Sequence, residues 1–176
     1  MRQHKLIFTG PVGAGKTTAI ASISDEPPMR TDEVATDMTK QCKPETTVAL
    51  DYGVMRLPGG EKLHFYGTPG QERFNFMWDI LSTGGIGLMI LINNNRPDPL
   101  KDLSFFLQRF DTLIRSTSVA IGVTQMDRSN EPCLNDYNLA LTRLNYHAPV
   151  FEVDARCKTD VLLLVQALLL RLDPEL

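Results

Sequence analysis

Short apolar runs alternate with longer amphipathic segments along most of this 176-residue chain. Runs rich in Val, Ile, Leu and Phe predict strands near residues 4–9, 46–57, 62–67, 86–92, 118–124 and 149–153. Apolar positions at helical spacing predict helices at about 15–24, 98–115, 133–145 and 159–172. Strand and helix in alternation define an α/β chain, in which parallel strands are joined by crossover helices packed on the sheet faces. One junction departs from that rule. Leu57-Pro58-Gly59-Gly60-Glu61 offers a tight turn between neighbouring strands. One strand is therefore expected to run antiparallel in a six-stranded, otherwise parallel sheet. In the last helix Thr159-Asp160 supplies a start and Asp173-Pro174 an end. Its almost wholly apolar body predicts deep packing on the sheet.

Residues 24–44 break the alternation. They hold Pro27-Pro28, several acids and threonines, and few large apolar side chains, so a long loop is expected there. Long loops in compact domains tend to carry function. No repeat, low-complexity tract or second boundary interrupts the rest, and the length suits one domain over residues 1–176.

Between the first strand and the first helix lies Gly10-Pro11-Val12-Gly13-Ala14-Gly15-Lys16-Thr17-Thr18. This is the G-x-x-x-x-G-K-[ST] pattern in its strand–loop–helix setting. Such a loop turns backbone N–H groups inward around a polyphosphate, through positive-φ turns that glycine adopts cheaply. The helix that follows points its partly positive amino terminus at the same anion. Gly10, Gly13, Ala14, Gly15 and Thr18 would line the phosphates. Lys16 would reach the β- and γ-phosphates, and the Thr17 hydroxyl would bind Mg²⁺.

Charge and cysteine content narrow the partners. With 18 Lys and Arg against 21 Asp and Glu, the net charge is −3, which gives no global attraction for nucleic acid or an acidic membrane. Cys42, Cys133 and Cys157 form no C-x-x-C pair, and His4, His64 and His147 supply no zinc spacing. The apolar stretches 86–92 and 161–170 are too short to span a bilayer, and no leader or lipidation signal is evident. The expectation is a cytoplasmic protein without a direct membrane anchor and without a nucleic-acid partner.

Three more segments follow the loop in an informative order. Thr46-Thr47-Val48-Ala49-Leu50-Asp51-Tyr52 follows the long loop and enters a strand. Phe65-Tyr66-Gly67-Thr68-Pro69-Gly70-Gln71-Glu72-Arg73-Phe74 follows the turn's second strand, and Ile121-Gly122-Val123-Thr124-Gln125-Met126-Asp127 ends a later one. In order and spacing the chain resembles the Ras-like small GTPases over essentially its whole length. The Thr-Pro-Gly-Gln variant is most similar to bacterial Ras-like GTPases, a group that includes polarity-control switches.

The resemblance implies a P-loop NTPase three-layer sandwich with helices on both faces, forming one small-GTPase-like domain. It implies a GTP-binding, GTP-hydrolysing switch, slow without an activating partner, with GTP/GDP and Mg²⁺ as cofactors and effector proteins as partners. Its switch loops would be about 24–47 and 67–83. Thr47 would ligate Mg²⁺ beside Thr17, as a hydroxyl suits a hard cation. The Gly70 N–H would contact the γ-phosphate, and Gln71 would orient the attacking water. Asp127 would accept both N–H donors of guanine, which adenine lacks in that arrangement. Thr124 and Gln125 would complete the base motif, and Asp154-Ala155-Arg156 stands where the family has Ser-Ala-Lys. The Ala155 N–H would then face the guanine oxygen.

Two departures matter. Gly67 stands where most of the family has a metal-positioning aspartate, predicting weaker Mg²⁺ coupling, with Asp51 of the neighbouring strand as a candidate helper. Thr124-Gln125-x-Asp127 replaces Asn-Lys-x-Asp, so Gln125 would cover the base without a charge, at reduced affinity. Arg56 and Arg73 are candidate internal cations for phosphoryl transfer, with surface or switch-stabilising roles the favoured reading, and Met77-Trp78 is a candidate exposed contact surface. The alternative function is a nucleotide-binding scaffold with little or no hydrolysis, or with relaxed ATP/GTP specificity.

Overall fold

The computed structural model describes residues 3–27, 29–30, 50–71 and 74–172. The chain forms β1 (Gln3–Thr9), α1 (Lys16–Ile23), β2 (Met29–Arg30), β3 (Asp51–Arg56), β4 (Lys62–Gly67) and α2 (Asn75–Ser82). It continues through β5 (Gly87–Asn93), α3 (Pro99–Arg109), α4 (Asp111–Ser116), β6 (Val119–Thr124), α5 (Leu134–Arg143), β7 (Val150–Glu152) and α6 (Lys158–Leu172). The sheet order is β2-β3-β4-β1-β5-β6-β7. β3 alone runs against its neighbours, pairing antiparallel with both β2 and β4. The six expected strands are present, and the two-residue β2 adds a seventh at the edge, inside the stretch expected to be loop.

The central strands explain why the sheet sits between two helical layers. All of β5 from Gly87 to Ile92 is buried, as a parallel strand covered on both faces must be. Successive side chains point to opposite faces. Leu6, Phe8, Met89 and Leu91 pack with α1 and α6, whereas Ile7, Leu88, Ile90 and Ile92 pack with α2, α3 and α5. The result is a three-layer α/β arrangement with a core on each side. α6 buries Val161, Leu164, Val165 and Leu168 against the sheet, as its composition predicts.

Three elements differ from expectation. The single helix expected over 98–115 is two, because the chain turns at Phe110, whose ring is buried and stacks on Trp78 at 5.6 Å. α2 lies within the segment expected to be a switch loop. Trp78 is fully buried rather than an exposed contact surface. Trp78 and Leu81, three positions apart, share the inward side of α2, leaving Phe76 and Ile80 exposed.

The turn at 57–61 closes as predicted, with the Leu57 N–H donating to the Glu61 carbonyl at 2.8 Å. Among the described residues no helix is long and apolar enough to cross a membrane.

Candidate functional site

The chain leaves β1 at the centre of the sheet, between β4 and β5, where successive connections depart in opposite directions. Crevices at the carboxyl ends of parallel strands at such a point are the usual ligand sites of open α/β sheets. The loop at residues 10–15 occupies it. Gly10 has φ +139°, and a Cβ there would lie 2.0 Å from the Leu91 carbonyl oxygen, so glycine alone fits. Gly15 enters α1 in the left-handed conformation, and among the described residues no side chain caps that helix amino terminus. An uncapped helix start leaves N–H groups directed at whatever lies beyond it.

Lys16 is buried, and Nζ donates to the carbonyls of Gly10 (2.7 Å) and Pro11 (2.8 Å). None of the ion pairs among the described residues includes it. Burial pushes its ammonium down to about 8; the Asp51 charge pulls it up and the Arg96 charge pushes it further down. The loop thus holds a desolvated cation at the mouth of a helix.

Thr17, the next residue, donates its hydroxyl hydrogen to Asp51 Oδ2 at 2.5 Å. Asp51 opens β3 and pairs across the antiparallel ladder with Gly67, at the end of β4. The hydroxyl and carboxylate together offer hard oxygen atoms, the donor type that suits Mg²⁺. Thr46 and Thr47 lie outside the described residues, as does Arg73.

The base-side segment closes on the same loop. Thr124, at the buried end of β6, donates to the carbonyls of Ala14 (3.1 Å) and Ile92 (3.3 Å). Gln125, at φ +60°, donates through Nε2 to the Gly13 carbonyl at 3.2 Å. Asn93 Nδ2 reaches the same oxygen at 3.1 Å. Asp127 is exposed in the turn that follows. Arg156 donates to both carboxylate oxygens of Asp154 (2.9 and 2.8 Å), and these bonds hold the Asp154 carboxyl at about 2. The Asp127 charge acts on Arg156 too, raising it.

Ala14, Gly15, Thr18, Thr124, Gln125 and Asp127 line one cavity of about 630 Å³, closed on its far side by Asp154, Ala155 and Arg156. Every base-side residue singled out in the sequence therefore shares a cavity with the glycine-rich loop. That volume is typical of small-molecule and cofactor sites.

A second cavity, of about 370 Å³, lies on the other flank of the loop, lined by Pro11, Val12, Gly70, Arg96 and Phe105 among others. Gly70 presses on the loop: a Cβ there would sit 2.6 Å from Val12 N and 2.9 Å from Lys16 Nζ. Its approach is fixed from behind, because Thr68 bonds Thr9 hydroxyl to hydroxyl at 2.8 Å and Trp78 Nε1 donates to the Pro69 carbonyl at 2.9 Å. Gln71 is exposed beyond this anchored stretch.

Arg56 takes the surface place favoured for it. Arg56 stands five residues beyond Asp51 on β3, roughly 16 Å away, in an exposed ion pair with Glu26. Arg96, which no sequence motif marks, lines the second cavity while its Nε pairs with Asp102 at 2.5 Å. Asn93 and Asn94 were equally silent. Asn94 is buried, donates to the Ser129 and Pro132 carbonyls (2.7 and 3.1 Å) and accepts from the Tyr137 hydroxyl at 2.6 Å. It fixes the base-side turn from below. A run of three amides closing an apolar strand was the available signal.

No protein-family model matches the chain. It is similar to the uncharacterized protein MJ1339 of Methanocaldococcus jannaschii, with 28% identity over 119 residues. The match covers 68% of this chain and 66% of that protein, so just under two thirds of the relative's length is spanned.

Proposed function

We propose that the chain binds guanine nucleotides and hydrolyses GTP as a Ras-like molecular switch built on a P-loop NTPase fold. The observation that carries this reading is the meeting of Ala14, Gly15 and Thr18, from the loop that holds buried Lys16, with Thr124, Gln125, Asp127, Ala155 and Arg156 around one cavity. A desolvated ammonium and an uncapped helix start are both relieved by a polyphosphate. Asp127 accepts from the ring N1–H and 2-amino group of guanine, and ATP would leave it unpaired. Gln125 and Thr124 hold the loop in register with the base. Mg²⁺ would be held by Thr17 and Thr47, neutralising charge on the phosphates.

Gly70 and Gln71 stand at the γ-phosphate end. The Gly70 N–H senses that group, and the Gln71 carboxamide orients a water molecule for attack. Loss of the γ-phosphate contact releases segments 24–47 and 67–83, which would carry the effector and activating-protein surface. Single-turnover cleavage of bound GTP tests the assignment. Gln71→Ala should slow it by about 100-fold, and an unchanged rate refutes the role. A second reading, a nucleotide-holding scaffold with little turnover or relaxed ATP/GTP choice, is favoured by the exposure of Asp127 and Gln71. Equal competition by ATP and GTP would support it.

A further inference from the structure

We infer that Asp51 is the metal-positioning carboxylate of this site, supplied from the start of β3 in place of the end of β4. The inference rests on the nucleotide-binding reading above and specifies its cation site.

A threonine hydroxyl has one hydrogen and two lone pairs. With the hydrogen of Thr17 committed to Asp51 Oδ2, its lone pairs remain for a cation, and a carboxyl group stands one hydrogen bond behind it. Partners of this kind orient and strengthen metal ligands.

The sheet register explains why the carboxylate has moved. Asp51 and Gly67 are direct cross-strand partners, so their side chains share one face of the sheet and one volume. A Cβ at position 67 would lie 3.0 Å from the Asp51 Cβ, 3.1 Å from its Oδ2 and 3.1 Å from the Ile20 Cδ1. Each is tighter than nine in ten real Cβ contacts, so any side chain at 67 would push on Asp51 and Ile20. There is room for one carboxylate beside Thr17. In this chain it comes from the partner strand, and glycine at 67 is the condition for its fit. Gly67 therefore does not imply a weak metal response.

The test follows release of N-methylanthraniloyl-GDP from preloaded protein across a Mg²⁺ titration. Release in excess EDTA serves as each variant's own baseline. Asp51→Asn keeps an acceptor for Thr17 but removes the charge. It should raise the Mg²⁺ concentration for half-maximal slowing by about 10- to 100-fold. The double variant Asp51→Gly/Gly67→Asp, which moves the carboxylate across the ladder and clears the Cβ at position 51, should recover most of that loss.

An Asp51→Asn titration that overlays the wild type overturns the inference while leaving nucleotide binding intact. So does a double variant that holds the nucleotide in EDTA yet gains no Mg²⁺ response over Asp51→Gly. Wild-type protein that takes up no nucleotide in either condition refutes the underlying reading, and the Asp51 assignment with it.

Discussion

Gln125 Nε2 donates to the Gly13 carbonyl oxygen at 3.2 Å, joining two loops that are 112 residues apart in the chain. Asn93 reaches the same oxygen at 3.1 Å, so the glycine-rich loop is braced from the ends of both β5 and β6. A site assembled from separate strand ends keeps its shape through such cross-links. A charged tether is not required for that purpose.

Removing this brace should weaken nucleotide binding without abolishing it. A hydrogen bond of this kind contributes about 1 kcal/mol net, so Gln125→Ala is expected to raise the Kd for GDP by roughly fivefold. Adding Asn93→Ala should weaken it further. Equilibrium titration with a fluorescent nucleotide reads both effects.

Lys16 predicts an unusual pH dependence of stability in nucleotide-free protein. Its folded value of about 8 lies below the ordinary 10.5, so the unfolded chain binds the extra proton between those limits. The cost of the buried charge is fully present below pH 8 and is relieved as pH rises from about 8 toward 10.5. At neutral pH it amounts to about 3 kcal/mol. Lys16→Met should raise the melting temperature at pH 7, lose nucleotide binding and lack the alkaline rise in stability. Chemical denaturation at a series of pH values checks this.

His64 acts at the opposite end of the pH scale. Its Nδ1 lies 2.7 Å from the Tyr52 hydroxyl, while its Nε2 is buried without a hydrogen-bond partner among the described residues. Burial chiefly, and the Lys62 charge next, hold its pKa below the ordinary 6.5. The unfolded chain therefore protonates first, and stability falls as pH drops through 6.5 toward the folded value. Denaturation midpoints between pH 7 and 5 should drop more steeply for wild type than for His64→Phe.

On the proposed reading, Arg96, which lines the cavity beside Gly70, would give the γ-phosphate side a cation that the chain carries itself. Its charge already acts on Lys16, and Asp102 steadies its Nε. Arg96→Ala should slow single-turnover GTP cleavage by about 100-fold. Arg56→Ala, which breaks an exposed pair with Glu26, should leave that rate unchanged.

The parts of the site legible in the sequence are those carried by contiguous residues. Gly10 to Thr18 announced a loop between a strand and a helix, and Thr124 to Asp127 announced a strand end. Asp51 stood out as a candidate helper on the neighbouring strand, but its contact depends on pairing across the sheet. That Asp51 meets Thr17 follows from the antiparallel register with Gly67, which no local pattern fixes. Trp78 misled for a related reason. Apolar residues cover both sides of the eight-residue α2, and the partner Phe110 comes from a break inside an otherwise helical pattern. β2 was invisible because two residues carry no periodicity.

The most direct measurement is calorimetric titration of nucleotide-free protein with GDP, GTP and ATP in the presence of Mg²⁺. The account predicts saturable one-to-one binding of GDP and GTP, with ATP weaker by at least about 100-fold and the preference lost in Asp127→Ala. No heat of binding for any of the three, or the same isotherm for Lys16→Ala as for wild type, would contradict it.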